Sequence, residues 1–255
     1  MSAETARPMN ILVVDVGGTH IKFAATGHED LRKFPSGPQM TAAQMVDRLL
    51  KLTRNWRYDA VSIGYPSVVS GGRPGREPMN LGKGWVGFDF AAAFGRPVRI
   101  LNDAAMQALG NYQRGKMLFL GLGTGLGSTL VVDGTIIPME LGHLQRCKGR
   151  DYEYYLGNHG RKRLGNKKWR AEVLQVASDF RNALLPDEIV FGGGNARRLK
   201  ELPPHTRLGE DLAAIRGGLR AWEAQGRSDD DALSKAAPGR KSTHTLKRSP
   251  RRRTV

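Results

Sequence analysis

Asp15-Val16-Gly17-Gly18-Thr19 and, in the second half of the chain, Gly121-Leu122-Gly123-Thr124-Gly125-Leu126-Gly127 are two glycine turns, each set between short apolar runs. The first turn follows residues 10–15 (NILVVD), which read as a buried strand, and leads into residues 20–25 as its partner. The second follows residues 117–121 and leads into 128–132, which turn at Asp133-Gly134 into 135–137. Strand, glycine turn, strand therefore occurs twice. Around the first copy, residues 41–56 carry Ala42, Met45, Val46, Leu49, Leu50 and Leu52 at helical spacing, with Thr41 placed as N-cap. Strands are expected at 59–64, 97–101 and 188–191, and helices from Asp103, over 168–185 and from about 210 to 223. Strand alternating with helix predicts an α/β fold of two similar lobes with a cleft between them. The lobes span 9–113 and 114–225 and divide near Tyr112 to Gly115; no solenoid-type repeat is visible.

Composition narrows the class. Of 255 residues, 40% are hydrophobic, which supports a buried core, and 32 are glycine, a surplus that falls in clusters beside strands. A single cysteine, Cys147, excludes an internal disulfide framework and a multi-cysteine zinc site, and suits a reducing, cytoplasmic setting. No apolar run reaches the roughly 18 residues of a membrane span, and residues 1–8 lack the apolar core of a signal peptide. The net charge is +16, unevenly spread. Residues 226–255 hold nine Lys/Arg against three Asp and few large apolar side chains, and read as a disordered basic tail; residues 1–8 read as a flexible stub. Between Leu144 and Arg170, nine basic residues face only Asp151 and Glu153.

Four sets of residues could carry chemistry. Glycines at the Asp15–Thr19 turn let backbone N–H groups converge on a phosphate, and a strand-end Asp15 could hold Mg²⁺ through its water shell; the same residues also suit a plain hairpin. The turn at Gly121–Gly127 is not a dinucleotide fingerprint, because a strand follows it, and no Gly-Lys-Ser/Thr phosphate loop occurs. Its alternating glycines suit a backbone-lined anion site. Asn102-Asp103 sits where a strand gives way to a helix, so Asp103 is either a proton acceptor facing the cleft or simply that helix's cap. Glu140, Gly142 and His143, with Glu153 further on, suit hydrogen bonding to sugar hydroxyls, although a histidine there could equally be structural.

Together these pieces resemble the superfamily of sugar kinases, actin and heat-shock ATPases, with its ribonuclease H-like lobes. Glu140-Leu141-Gly142-His143 is similar to the ROK family of sugar kinases. Residues 80–88 (NLGKGWVGF), 102–110 (NDAAMQALG) and 164–169 (LGNKKW) resemble the bacterial polyphosphate glucokinases of that family. The resemblance runs from about Ile11 to Glu223. It implies Asp103 as general base on the glucose 6-hydroxyl, with an ordinary carboxylate pKa sufficing. It implies Asn80, Asn102, Glu140, His143 and Glu153 around the sugar. Asp15, Gly17, Gly18, Thr19 and Lys22 would position Mg²⁺ and phosphate, Gly123, Thr124 and Gly125 the donor phosphates, and Gly192, Gly193, Gly194 and Asn195 the turn that packs on adenosine. A homodimer is also implied.

One departure stands out. Many ROK proteins place a cysteine-rich zinc loop after the Gly-His, whereas residues 146–150 (RCKGR) offer one cysteine, so no zinc is expected. Basic residues take that place: Lys148, Arg150, Arg161, Lys162, Arg163, Lys167, Lys168 and Arg170 could form a track for inorganic polyphosphate. The resemblance therefore points to phosphoryl transfer from polyphosphate, ATP or both to glucose. A strictly ATP-dependent glucokinase is the alternative of the same fold. A sugar-sensing repressor would carry a DNA-binding domain before the first strand, and about ten residues precede Ile11. Nucleic-acid binding is expected at most weakly, through the tail, since no stacking platform accompanies it.

Overall fold

The structure, a computed structural model, describes residues 9–223. The N-terminal stub at 1–8 and the basic tail at 226–255 lie outside the described residues.

In the first lobe β1 (Ile11–Val16), β2 (His20–Ala25) and β3 (His28–Pro35) form an antiparallel meander. After α1 (Ala42–Leu52), β4 (Ala60–Tyr65) joins β1 in parallel. The two-residue strands β5 (Val69–Ser70) and β6 (Arg73–Pro74) make a small hairpin. A short helix, α2 (Phe90–Phe94), then precedes β7 (Val98–Asn102), which joins β4 in parallel. The strand order is β3-β2-β1-β4-β7. β4 is buried at all six positions, as a central parallel strand covered on both faces must be. α1 starts at Thr41 as expected, with a full capping box: Thr41 Oγ1 accepts from the Gln44 amide, and Gln44 Oε1 accepts from the Thr41 amide.

α3 (Asp103–Asn111) leads into the second lobe. There β8 (Lys116–Leu122), β9 (Leu126–Val132) and β10 (Thr135–Met139) repeat the antiparallel meander. The hairpin β11 (Gln145–Cys147) and β12 (Arg150–Asp151) follows, then α4 (Tyr152–Leu156) and α5 (Asn158–Leu184). β13 (Glu188–Gly192) and β14 (Thr206–Leu208) complete the sheet in parallel with β8. The order, β10-β9-β8-β13-β14, reproduces that of the first sheet. The doubled glycine-turn motif thus marks one topology used twice.

Several elements differ from expectation. β3 was not anticipated, because its HEDLRKFP run is too polar to signal a strand; it is an edge strand, where polar residues are tolerated. α5 begins ten residues before the expected position 168 and breaks at Gly165 (φ 73°, ψ 158°), so a basic first segment precedes the amphipathic one. The last helix, residues 213–223, was assigned with the second lobe but packs on the first. Ala214, Ile215, Leu219 and Trp222 lie against Ile11 and Val13 of β1 and Met106 of α3. Ser62 of β4 donates to the Gly218 carbonyl at 2.6 Å and accepts from the Trp222 indole at 2.9 Å.

Candidate active site

The carboxyl ends of three adjacent parallel strands build the floor of the cleft. Asp15 of β1 pairs in register with Gly64 of β4, and Tyr65 of β4 with Asn102 of β7. Ligands bind at such strand ends because the loops there are free to diverge. Gly64 leaves room at this point: a Cβ there would meet the end of the Met106 side chain and lie 3.7 Å from Asp15 Oδ1. The helix cap belongs to Asn102, whose Oδ1 accepts from the Ala104 and Ala105 amides at 2.9 and 3.2 Å. This corrects the reading of Asp103 as a mere cap. It also leaves Asn102 little capacity for a sugar, since its Nδ2 already donates to the Ser67 carbonyl at 3.2 Å.

Asp103 accepts from the Ala104 amide at 2.8 Å. Its pKa is pushed up to about 7, first by burial and then by the negative charges of Asp15 and Glu140, with the backbone hydrogen bond opposing. An ordinary carboxylate pKa would suffice for the proton transfer; the surroundings of Asp103 raise it towards neutral pH. Asp15 is also raised by burial, against the pull of Lys22 at 3.6 Å.

The second lobe closes on this floor. Gly127 of β9 sits against Ala104, where a Cβ would lie 2.9 Å from the alanine methyl. Ser128 donates to the Met139 carbonyl and accepts from the Leu141 amide, both at 2.9 Å, which fixes the turn bearing Glu140. His143 Nδ1 lies 4.0 Å from Glu140 Oε2, and both side chains are half exposed. Glu140 and Asn102 share a 380 Å³ cavity whose walls are largely apolar, including Val69, Ile100, Ile136 and Met139. Asn80 is brought to the first glycine turn, its Cβ 2.8 Å from where a Cβ on Gly18 would stand. Glu153 is drawn beneath the second turn: Oε2 accepts from the Leu126 amide at 3.1 Å and occupies the space a Gly125 side chain would need. Of the residues named for the sugar, it and Asn102 are therefore the two already engaged within the protein.

Both glycine turns are held by their own backbones. Gly17 N–H donates to the His20 carbonyl and Gly123 N–H to the Gly125 carbonyl, each at 3.1 Å. The amides of Gly18, Thr19, Thr124 and Gly125 have no hydrogen-bond partner among the described residues. The turn at Gly192–Asn195 locks onto the second glycine turn: Asn195 Nδ2 donates to the Gly123 carbonyl at 3.2 Å and its amide to Leu122 at 2.9 Å. Gly193 (φ 78°) lies so close to Leu122 that only glycine fits.

The basic cluster is spread over the β11–β12 hairpin and both segments of α5. Within it, Arg146 pairs with Glu172 at 2.6 Å, while Lys148, Arg150, Arg161, Lys162, Arg163, Lys167, Lys168 and Arg170 form no ion pair among the described residues. Arg161 bonds instead to the side-chain oxygens of Asn158 and Asn166. Arg150 and Arg163 both lie over the Tyr154 ring, at 4.8 and 4.3 Å from its centroid. Tyr154 was not singled out from sequence; the repeated aromatics of 152–155 (YEYY) among arginines were the available signal. Cys147 faces the Tyr155 hydroxyl at 3.1 Å.

Among the described residues no group of three or more His, Cys, Asp or Glu side chains gathers as a metal site. Magnesium bound with phosphates needs only one or two protein carboxylates, and the partly buried Asp15, with Asp103 near it, is a donor set of that kind. No helix among the described residues is long and apolar enough to cross a membrane.

Two lobes of one topology, facing each other across strand-end carboxylates and paired glycine turns, define a protein of the actin-like ATPase fold. The ROK family model matches residues 11–146, and the chain belongs to the ROK family. The polyphosphate glucokinase of Mycobacterium tuberculosis (strain H37Rv) is 32% identical over 164 residues, covering 58% of this chain and 61% of that protein. The polyphosphate glucokinase of Mycobacterium leprae is 27% identical over 207 residues, covering 72% and 63%. The matched segments thus span about three fifths of the length of these curated relatives. Among solved structures, the inorganic polyphosphate/ATP-glucomannokinase of Arthrobacter sp. strain KM superposes with a TM-score of 0.71 at 24% identity, covering 85% of this chain and 99% of that one. A ROK family glucokinase from Streptomyces griseus, in complex with glucose and AMPPNP, gives 0.62 at 17%, covering 83% and 98%.

Proposed function

We propose that the chain is a glucokinase that transfers the terminal phosphoryl group of inorganic polyphosphate, and also of ATP, to the 6-hydroxyl of glucose. The observation that carries this reading is Asp103: a carboxylate at the cleft floor, with its pKa raised to about 7 between Asp15 and Glu140. A general base works best with a pKa near the operating pH. Asp103 takes the proton of the 6-hydroxyl as the new bond to phosphorus forms. Asn80, Glu140 and His143 hold the sugar, with a smaller share for Asn102 and Glu153. The open amides of Gly18, Thr19, Thr124 and Gly125 receive phosphate oxygens, and Lys22 balances their charge. Asp15 would hold Mg²⁺ through water; when bound, the ion neutralises charge on the transferring phosphate. Phosphoryl transfer proceeds through a loose transition state, so positioning and charge balance outweigh base strength. Closure of the lobes excludes water that would otherwise accept the phosphoryl group. The protein acts in the cytoplasm as a homodimer.

The donor assignment rests on the basic cluster. Lysines and arginines without carboxylate partners beside a cleft suit a long polyanion bound through its backbone charge alone. The intact Gly192–Asn195 turn, locked to the second glycine turn, favours ATP as a second donor. The test is glucose 6-phosphate formation with polyphosphate or ATP as sole donor, at two salt concentrations. Polyphosphate turnover whose apparent KM climbs steeply with salt is the expected result. Activity with ATP alone reduces the cluster to a solvated face, and silence with both donors removes the assignment.

A further inference from the structure

Glu77 precedes Asn80 by three residues and has no part in the chemistry described so far. Its carboxylate accepts from three successive backbone amides across a loop: Oε1 from Gly84, Trp85 and Val86 at 3.2, 3.3 and 3.2 Å, and Oε2 from Trp85 at 3.2 Å. Consecutive amides converging on one point form an anion cradle. Here the chain's own carboxylate fills it. Glu77 has no ion-pair partner among the described residues, so backbone dipoles are its counter-charge.

The clasp closes a loop over residues 77–86. A second anchor holds its middle: the Gly82 amide and the Trp85 indole both donate to the Met40 carbonyl, at 2.9 and 3.2 Å, and Trp85 is fully buried. Between the two anchors stands Asn80, exposed, pressed on the first glycine turn at Gly18, and without a hydrogen bond of its own among the described residues. Its place is set by the loop, and the loop is set by its anchors. We infer that Glu77 is a positioning residue for hexose binding, which acts by holding the loop that delivers Asn80 to the cleft.

This inference rests on the reading of Asn80 as a sugar ligand, and its test separates the two. Glucose KM, donor KM and kcat are measured for Glu77→Ala, Glu77→Gln, Asn80→Ala and the Glu77→Ala/Asn80→Ala pair. Losing the clasp is expected to raise glucose KM about tenfold in Glu77→Ala, the scale of a charged group's lost hydrogen bonds, with donor KM within twofold. Glu77→Gln keeps one acceptor oxygen and recovers part of the loss. The double variant is no worse than Asn80→Ala alone, since the clasp has nothing left to position. Amide exchange at residues 84–86 of Glu77→Ala speeds up while the global melting temperature stays within a few degrees. If Asn80→Ala weakens glucose and Glu77→Ala does not, or if the two losses add, the positioning role is overturned while Asn80 remains a ligand. If Asn80→Ala leaves glucose KM unchanged, the Asn80 reading fails and the inference falls with it.

Discussion

Asp103 shows how a site residue departs from what its neighbours in sequence suggest. A carboxylate at the first position of a helix is ordinarily stabilised there, by the helix dipole and by free amides. In this cleft Asn102 takes the Ala105 amide and shares the Ala104 amide with Asp103, and burial with Asp15 and Glu140 outweighs what remains, so the pKa rises to about 7. Two predictions belong to this residue. Asp103→Asn is expected to lower kcat by roughly 10²–10⁴ with glucose KM changed only a few fold; near-normal turnover in steady-state assays would remove Asp103 from the base role. The same substitution should stabilise the fold. The folded pKa lies above that of an unfolded aspartate, so the native state holds its proton longer. The wild type is therefore progressively disfavoured as pH rises from about 4 to about 7, and the penalty is complete above 7. Asp103→Asn should be more stable than wild type at pH 8 by up to about 4 kcal/mol, and so melt higher, and the gain should vanish near pH 4. Melting curves across that range check it, and a gain independent of pH would assign the effect to something other than this carboxyl.

At the scale of elements, the legibility of the sequence followed the strength of local signals. The glycine turns, Thr41 as N-cap, and the apolar strands 10–15 and 188–191 all announce themselves, because capping and burial leave residue-level marks. Asp103, Glu140 and the glycines of both turns stood out from such local patterns, whereas Asn80 was legible only through the resemblance of residues 80–88 to a known family. What stayed hidden depends on partners distant in the chain. β3 is polar because it is an edge, Glu153 is captured by the Leu126 amide, and Glu77 matters only through amides seven to nine residues away. The break at Gly165 is a further case: a single positive φ divides α5 and sets its basic first segment apart. That segment and the hairpin meet at Tyr154, where Arg150 and Arg163 lie over one ring. Replacing both arginines by alanine is expected to raise the polyphosphate KM. It should also flatten the log KM against log salt slope by about 1–2, with ATP kinetics unchanged. An unaltered slope in that variant would take the pair out of the donor track.

The molecule as a whole is not two independent beads. The lobes have separate sheets, but the chain returns from the second to the first through the helix at 213–223. That helix and α3 approach at Gly110 and Gly217. A Cβ on Gly217 would run into the Met106 carbonyl and lie 2.9 Å from the Gly110 amide, and one on Gly110 would strike the Ala213 carbonyl. These obstacles are backbone atoms, which cannot swing aside as a side chain can. Arginines from the second half tie down the end of α3 as well: Arg220 donates to the Leu109 and Tyr112 carbonyls at 2.9 and 2.8 Å, Arg207 to Asn111 at 2.6 Å and Arg216 to Gly110 at 3.3 Å. Cations there also complement the negative end of the helix dipole. α3 starts at Asp103, so the returning helix braces the element that carries the proposed base. Gly217→Val is therefore expected to force the two helices apart at a cost of about 1–3 kcal/mol. At roughly 2–4 °C per kcal/mol for a protein of this size, the melting temperature falls by several degrees. Gly75→Ala, where the nearest atoms lie at 3.4 Å or more, is the matched control and should change little. Because the brace joins both lobes, the transition should remain single and shift as a unit in calorimetry. A melt that splits, with one lobe unfolding at the wild-type temperature, would show that the lobes fold independently and that the returning helix does not couple them.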